Sequence, residues 1–538
     1  MPGSRIRVVV TVLLPLFLTS SSLLLPTVAE GATTPLPVGV SIQRPVATAA
    51  VAPTSNWKPV TGLRKLAAAE LAPSASGKSV VVPGGQFIGA TDPHPASGLS
   101  PNAVDVPPPA ATTPSAATSR TTGATSAIAA ASGIQTTFTG LGTTGSTPSD
   151  SNMAPGPSNV VEQVNSRLAI YSRAGSLQQG PFSLQSWYGT ASGDSVFDPH
   201  TIYEINHHHF ITIAEDGTTK SWVVAVSRSS DATGAWCTYS FAALNSGASS
   251  VDFPLVGTSP TYLMLSIREG GSTSGTRLFL TPLTSVENCA AAGGWTWSNV
   301  NNPGGGVADT LTPVMDYSSG DADSFLIDSY GGGGSDVSLY KISDTANPPS
   351  IISANVAVAS YSVAPAAKQE GSSVVVDVGN ATIDQAVNYS SGMYATLTTG
   401  YSGAAAIRWL KFNPSTQKLA NEGTYFSTGL SYFYGSISDG TSGTTMYTYS
   451  LSGSSIHPSS AMLGMNSSDV TTSNTYVIQG SHPTPRTGTM TCGGTACSRW
   501  GDFTSTYTDP SNFGQFWSAS QYMASTSSWG TVIAVAQP

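Results

Sequence analysis

Asp198-Pro199-His200-Thr201-Ile202-Tyr203 is a turn that runs into a short apolar stretch. Phe210-Ile211-Thr212-Ile213 and Trp222-Val223-Val224-Ala225-Val226 follow as further apolar runs, bounded by Gly, Asn, Asp and Ser. Runs of this length between turn-forming residues are strand signals, and helical periodicity is hard to find anywhere after residue 151. The unit recurs at Gly156–Val161, Asp252-Phe253-Pro254-Leu255-Val256 and Leu311-Thr312-Pro313-Val314-Met315. Weaker copies stand at Ile383–Val387, Phe433–Ile437 and Trp500–Phe503. Intervals of about 40 to 70 residues overlap the period of propeller blades, and closing such repeats around an axis protects strand edges. The expected fold is all-β, a β-propeller of seven blades over residues 151–538. Six blades is the rival reading, because the first copy is short and could simply complete the last blade.

Upstream, Arg5 and Arg7 precede an apolar run from Val8 to about Leu25, and small residues follow at Ala29 and Gly31. That order reads as a secretory signal peptide over residues 1–31. Residues 32–150 are rich in Ala, Pro, Ser, Thr and Gly, with few large apolar side chains. Such a segment buries too little surface to offset its ordering entropy, so a disordered linker or pro-segment is expected.

Cys237, Cys289, Cys492 and Cys497 are the four cysteines. In a secreted chain an even count suggests two disulfides, with three connectivities open; Cys237–Cys289 and Cys492–Cys497 are the favoured pairs. Charged residues make up 9% of the chain, against roughly 25% in an average soluble protein. With a net charge of -9 and no basic stripe, nucleic acid is excluded as a partner. Low charge suggests tolerance of acid, and a Ser/Thr-rich β surface explains it equally well. A monomer with no membrane span after signal cleavage is expected.

FDPHTIY at Phe197, HHHFITIA at His207, VDFPLVG at Val251, NPSTQKL at Asn413 and SRWGDFTSTYTDPSNFGQFWSASQYM at Ser498 resemble uncharacterised secreted bacterial β-propellers of the sialidase-like, Asp-box type. The resemblance implies a propeller over roughly residues 151–538 and no particular activity. Ser229-Ser230-Asp231-Ala232-Thr233-Gly234-Ala235-Trp236 resembles the Asp box itself, with Gly displaced by one and Ala at the Thr position. In that family the box is a structural turn.

The repeated turns offer Asp198, Asp252, Asp384 and Asp502 as catalytic candidates: converging carboxylates can work as acid and base on a glycosidic bond. They could also hold Ca²⁺. Aspartate beside Pro or Gly is also what a tight turn prefers. Arg499 and Trp500 beside Asp502, with Tyr434, Trp517 and Tyr522, are the ligand-binding candidates, and an ion pair locking the last blade is the alternative for Arg499 and Asp502. Asp316, Asp321 and Asp323 are a candidate Ca²⁺ set. His207 and His209 read as a polar turn leading into the strand at Phe210. The expected function is extracellular or cell-surface recognition of a glycan, polymer or protein. A glycan-active hydrolase or lyase is the alternative, and the sequence leaves open whether the protein is an enzyme.

Overall fold

The computed structural model describes residues 133–538, apart from 245–247, 272–274 and 304. It also gives the backbone of Val40–Gln43, Val46–Val51, Val80–Val81 and Ala103–Asp105. Four-stranded antiparallel sheets follow one another along the chain as seven blades. Their innermost strands are Asn152–Pro155, Val196–Glu204, Ala248–Thr258, Thr312–Pro313 with Met315–Asp316, Ile383–Tyr389, Leu430–Asp439 and Ser505–Asp509. Each innermost strand contacts the next, and the seventh returns to the first. Thr258, Met315 and Val387 pair in parallel across blades 3, 4 and 5. The innermost strands therefore run the same way, and the ring has one face at their N-terminal ends and another at their C-terminal ends.

Blade 7 is closed by a strand from far upstream. Gly133–Gly142 pairs antiparallel with Trp529–Gln537 as the fourth strand of this blade. Glu162, buried in blade 1, accepts the Leu141 N–H at 2.9 Å and the Thr531 hydroxyl at 2.5 Å, tying the first blade to both strands of this closure. The propeller thus takes in Gly133–Gly142, upstream of the expected boundary at Ser151. Gly-Ile-Gln-Thr-Thr-Phe-Thr is an outer strand with little burial, so it lacks the strong alternation that marks a half-buried strand. The expectation of linker for the whole of 32–150 fails here for a second reason. Val40–Gln43, Val46–Val51 and Ala103–Asp105 add fifth strands to the outer edges of blades 4, 3 and 5, meeting the unpaired edge groups that each blade presents. The signal-peptide reading lies outside the described residues.

Both favoured disulfides form. Cys237–Cys289 links the outer strand of blade 2 to a connection in blade 3. Cys492–Cys497 closes a hairpin in a small extra sheet. The Ser229–Trp236 segment is a hairpin turn, as its resemblance implies: Asp231 Oδ1 accepts the Thr233 N–H at 2.9 Å, and buried Trp236 donates its indole N–H to Ala232 O at 2.8 Å. Among the described residues no helix is long and apolar enough to cross a membrane.

Candidate functional site

The repeated turn of the sequence becomes a repeated break in the innermost strands. Register shifts fall at Phe197/His200, Asp252/Leu255, Ile383/Gln385 and Phe433/Ser436. Asp150, Asp198, Phe253 and Tyr434 take left-handed backbone there or just before the strand, with φ of 45°, 50°, 61° and 51°. Each such residue costs on the order of 1–3 kcal/mol and persists only where its surroundings enforce it. The bulges re-aim side chains toward the axis at the N-terminal face.

That face is acidic and narrow. Arg499 donates to Asp502 Oδ1 at 2.6 Å and to Asp377 Oδ2 at 3.3 Å. The extra sheet delivers it: Val376 pairs in parallel with Ser498, which sets Asp377 and Arg499 side by side. Burial alone would lower the Arg499 pKa, and Asp502 beside it more than reverses this, so it stays charged. Asp150 accepts from the Asp502 N–H at 2.8 Å and from the Asn165 side chain at 2.5 Å. Burial and then Asp502 raise Asp150 to about 7 and Asp384 to about 8. His200, pushed down to about 3 by burial, also faces the axis. The cavity between His200, Asp384, Tyr434 and Asp502 leaves about 20 Å³ open to a water-sized sphere. That holds roughly one water.

The C-terminal face is different. A cleft of about 310 Å³ on the same measure lies between blades 4 and 5, lined among others by Asp321, Asn388, Tyr389, Ser390, Asn413 and Ser415. Tyr389 stacks toward Phe513 with ring centroids 5.1 Å apart and meets Tyr317 at 6.4 Å. Tyr389 and Phe513 are partly exposed while Tyr317 is buried. On the same face His207 Nδ1 lies 3.0 Å from Glu287, and Glu204 accepts the Asn206 N–H. His209 turns instead to Ser227 O at 2.6 Å. His207 and His208 thus lie in a turn, with His208 at φ 65°, and His209 opens the following strand.

Of the residues singled out from sequence, Asp198, Asp252, Asp384, Asp502, Arg499 and Tyr434 come together at the N-terminal face. Trp500, Trp517 and Tyr522 do not reach it as ligand contacts. Trp500 is buried and donates to Ser450 Oγ at 2.9 Å. Trp517 is buried under Arg173 and donates to Asp509 at 2.9 Å. Tyr522 packs on the blade 7 cluster with Val532. The indoles are structural because each N–H finds an internal acceptor, which is what burial of Trp requires. The Ca²⁺ set is also divided. Asp316 and Asp321 share the Ser318 hydroxyl, at 2.5 and 2.8 Å. Asp323 is on the next strand, paired with Lys341 at 2.6 Å. Glu215, Asp377 and Asp150 belong to the acidic face and were not singled out. Glu215 ends an apolar run and resembles a hairpin acid; Asp377 lies in an insertion outside the blade period.

No family model matches the chain, and no curated protein matches it. Among solved structures it is similar to an exo-β-1,3-galactanase from Phanerochaete chrysosporium, at 11% identity and a TM-score of 0.29, covering 56% of this chain and 76% of that one. It is also similar to a protein of unknown function from Dyadobacter fermentans, at 6% identity and a TM-score of 0.36, covering 65% and 96%. An apocarotenoid oxygenase from Synechocystis gives 10% identity and a TM-score of 0.35, covering 60% and 70%. Likenesses at this distance carry no functional information.

Proposed function

We propose that this chain is a secreted, extracellular recognition propeller that binds a glycan or similar polyhydroxylated polymer at its C-terminal face without hydrolysing it. The observation that carries this reading is the cleft of about 310 Å³, with the partly exposed Tyr389 in its wall beside Ser and Asn side chains and Phe513 packed against Tyr389. Binding pockets begin near this size, roughly 300 Å³. An aromatic face with hydroxyl and amide partners suits the apolar and polar sides of a sugar ring. The hydrolase reading needs an acid and a base that flank a bound bond. The axial carboxylates front a space of about 20 Å³, and Arg499 ties up Asp502 and Asp377. The sialidase-like kinship belongs to this proposal too. It rests on the quoted motifs and on the Asp-box turn, and it concerns the fold rather than the chemistry.

The test is a glycan microarray probed with the purified chain, followed by reducing-end assay of every glycan that binds. Binding that weakens at least tenfold in Tyr389→Ala, with no new reducing ends, is the expected result. Release of reducing sugar by the native chain would overturn the binding-only reading, and binding untouched by Tyr389→Ala would remove the cleft from it.

A further inference from the structure

Asp198, Glu215 and Asp252 each offer a carboxylate oxygen, and the three oxygens lie within 4.8 Å of one another. Asp198 sits at the bulge in the innermost strand of blade 2, Glu215 on the neighbouring strand opposite Phe197, and Asp252 at the matching bulge of blade 3. The group therefore spans two blades, beside the axial cavity rather than in its wall. Glu215 is fully buried, and both its carboxylate oxygens lack a hydrogen-bond partner. The Phe253 N–H points toward it without reaching full hydrogen-bond geometry, and the Lys220 ammonium acts on it through its field while tied to Gly217 O. Arg268, opposite Asp252 in register, bonds to Asp309 at 3.1 Å, and its charge and that of Arg499 reach Asp252 through their fields. Among the described residues none of the three carboxylates is in an ion pair.

Two buried carboxylates and the half-buried Asp252 this close repel one another unless protons or a cation lie between them. We infer that Asp198, Glu215 and Asp252 form a binding site for one hard divalent cation, of the Ca²⁺ class, that clamps blade 2 to blade 3. All-oxygen, carboxylate-rich ligand sets select such ions over softer metals. Oxygens sharing one Ca²⁺ at roughly 2.4 Å can be at most about 4.8 Å apart. The cation places positive charge directly between the three carboxylates, and it gives both Glu215 oxygens a partner. This inference is independent of the cleft and of what binds there.

The test uses the purified full chain, stripped with EDTA and dialysed against Ca²⁺, Mg²⁺ or Mn²⁺ separately, with bound metal measured by mass spectrometry and thermal unfolding measured alongside. The expected result is one equivalent of Ca²⁺ per chain and a melting temperature raised by Ca²⁺ and lowered again by EDTA. Glu215→Gln keeps the shape of the side chain and should lose both the equivalent and the shift. Asp384→Asn, on the axial cavity next door, should keep both. The native chain retaining none of the three ions overturns the site, whatever the variants do. Retention by Glu215→Gln equal to that of the native chain also overturns it.

Discussion

The two ends of the axis are built from the same seven strands and differ in almost every respect. At the N-terminal face the strands break into bulges, carboxylates and Arg499 turn inward, and the space left is about 20 Å³. At the C-terminal face the strands run out into plain hairpins, and a cleft of about 310 Å³ stays open beside Tyr389. Charge concentration alone would point to the first as the working end. Space and exposure point to the second. The comparison teaches that strongly perturbed carboxyls can mark the way a propeller is held shut as readily as the place where it acts, since structural networks shift pKa values too.

The largest expected effect comes from removing the cation that plugs the acidic end. Arg499→Met leaves Asp377 and Asp502 facing one another without their partner. Breaking one side of a buried pair costs about 3–5 kcal/mol. Denaturant unfolding should show a loss of that order, and a loss below about 1 kcal/mol would mean that this face is not held by its charges. Next comes the closure between blade 1 and blade 7. Glu162→Ala strips the Leu141 N–H of its acceptor and leaves the Thr531 hydroxyl only Leu141 O, at about 2 kcal/mol for the buried donor left unmade. Hydrogen exchange should then rise first in Gly133–Gly142 and Trp529–Gln537.

A smaller, graded effect is expected with pH. Burial, followed by Asp309 for Asp328 and by Asp502 for Asp384, raises both carboxyls to about 8. Burial raises Glu162 and Asp439 to about 7, against their hydrogen bonds. A carboxyl whose pKa is higher folded than unfolded holds its proton more tightly in the folded chain. Its contribution is full below the unfolded value of about 4 and is lost as pH rises toward the folded value. The melting temperature in EDTA should therefore fall between pH 5 and pH 8, the pattern expected of an acid-tolerant fold. A flat or rising profile would contradict the burial of these groups. The smallest effect belongs to the open end: Tyr389→Ala should cost about 1 kcal/mol, the scale of the ring contacts it makes with Phe513 and Tyr317.

Much of this was legible in the residues. The bulge-forming turn left its mark as Asp-Pro, Phe-Pro and Tyr-Gly steps at blade spacing, and so Asp198, Asp252, Asp384, Asp502 and Tyr434 could be picked out together. Glu215 could not, because its neighbour Asp216 does make the turn: its carboxylate accepts the Thr218 N–H at 2.9 Å. The two adjacent acids look alike in sequence, and only the pleat turns one of them inward. Trp500 and Trp517 were misread for a related reason. A tryptophan in a Gly- and Ser-rich stretch looks like a loop aromatic, and nothing local shows that Ser450 and Asp509 wait inside to accept its N–H. The closing strand was hidden by being half-exposed, and Tyr389 and Phe513 by lying at ordinary strand ends, with no motif around them.

The most direct test of the difference between the two ends is a paired binding titration on one array-positive glycan. Native chain, Tyr389→Ala and Asp384→Asn are compared by calorimetry, with turnover followed in the same samples. The account predicts binding weakened at least tenfold by Tyr389→Ala, unchanged by Asp384→Asn, and no turnover in any sample. Binding or turnover lost with Asp384→Asn and kept with Tyr389→Ala would place the function at the acidic end and contradict it.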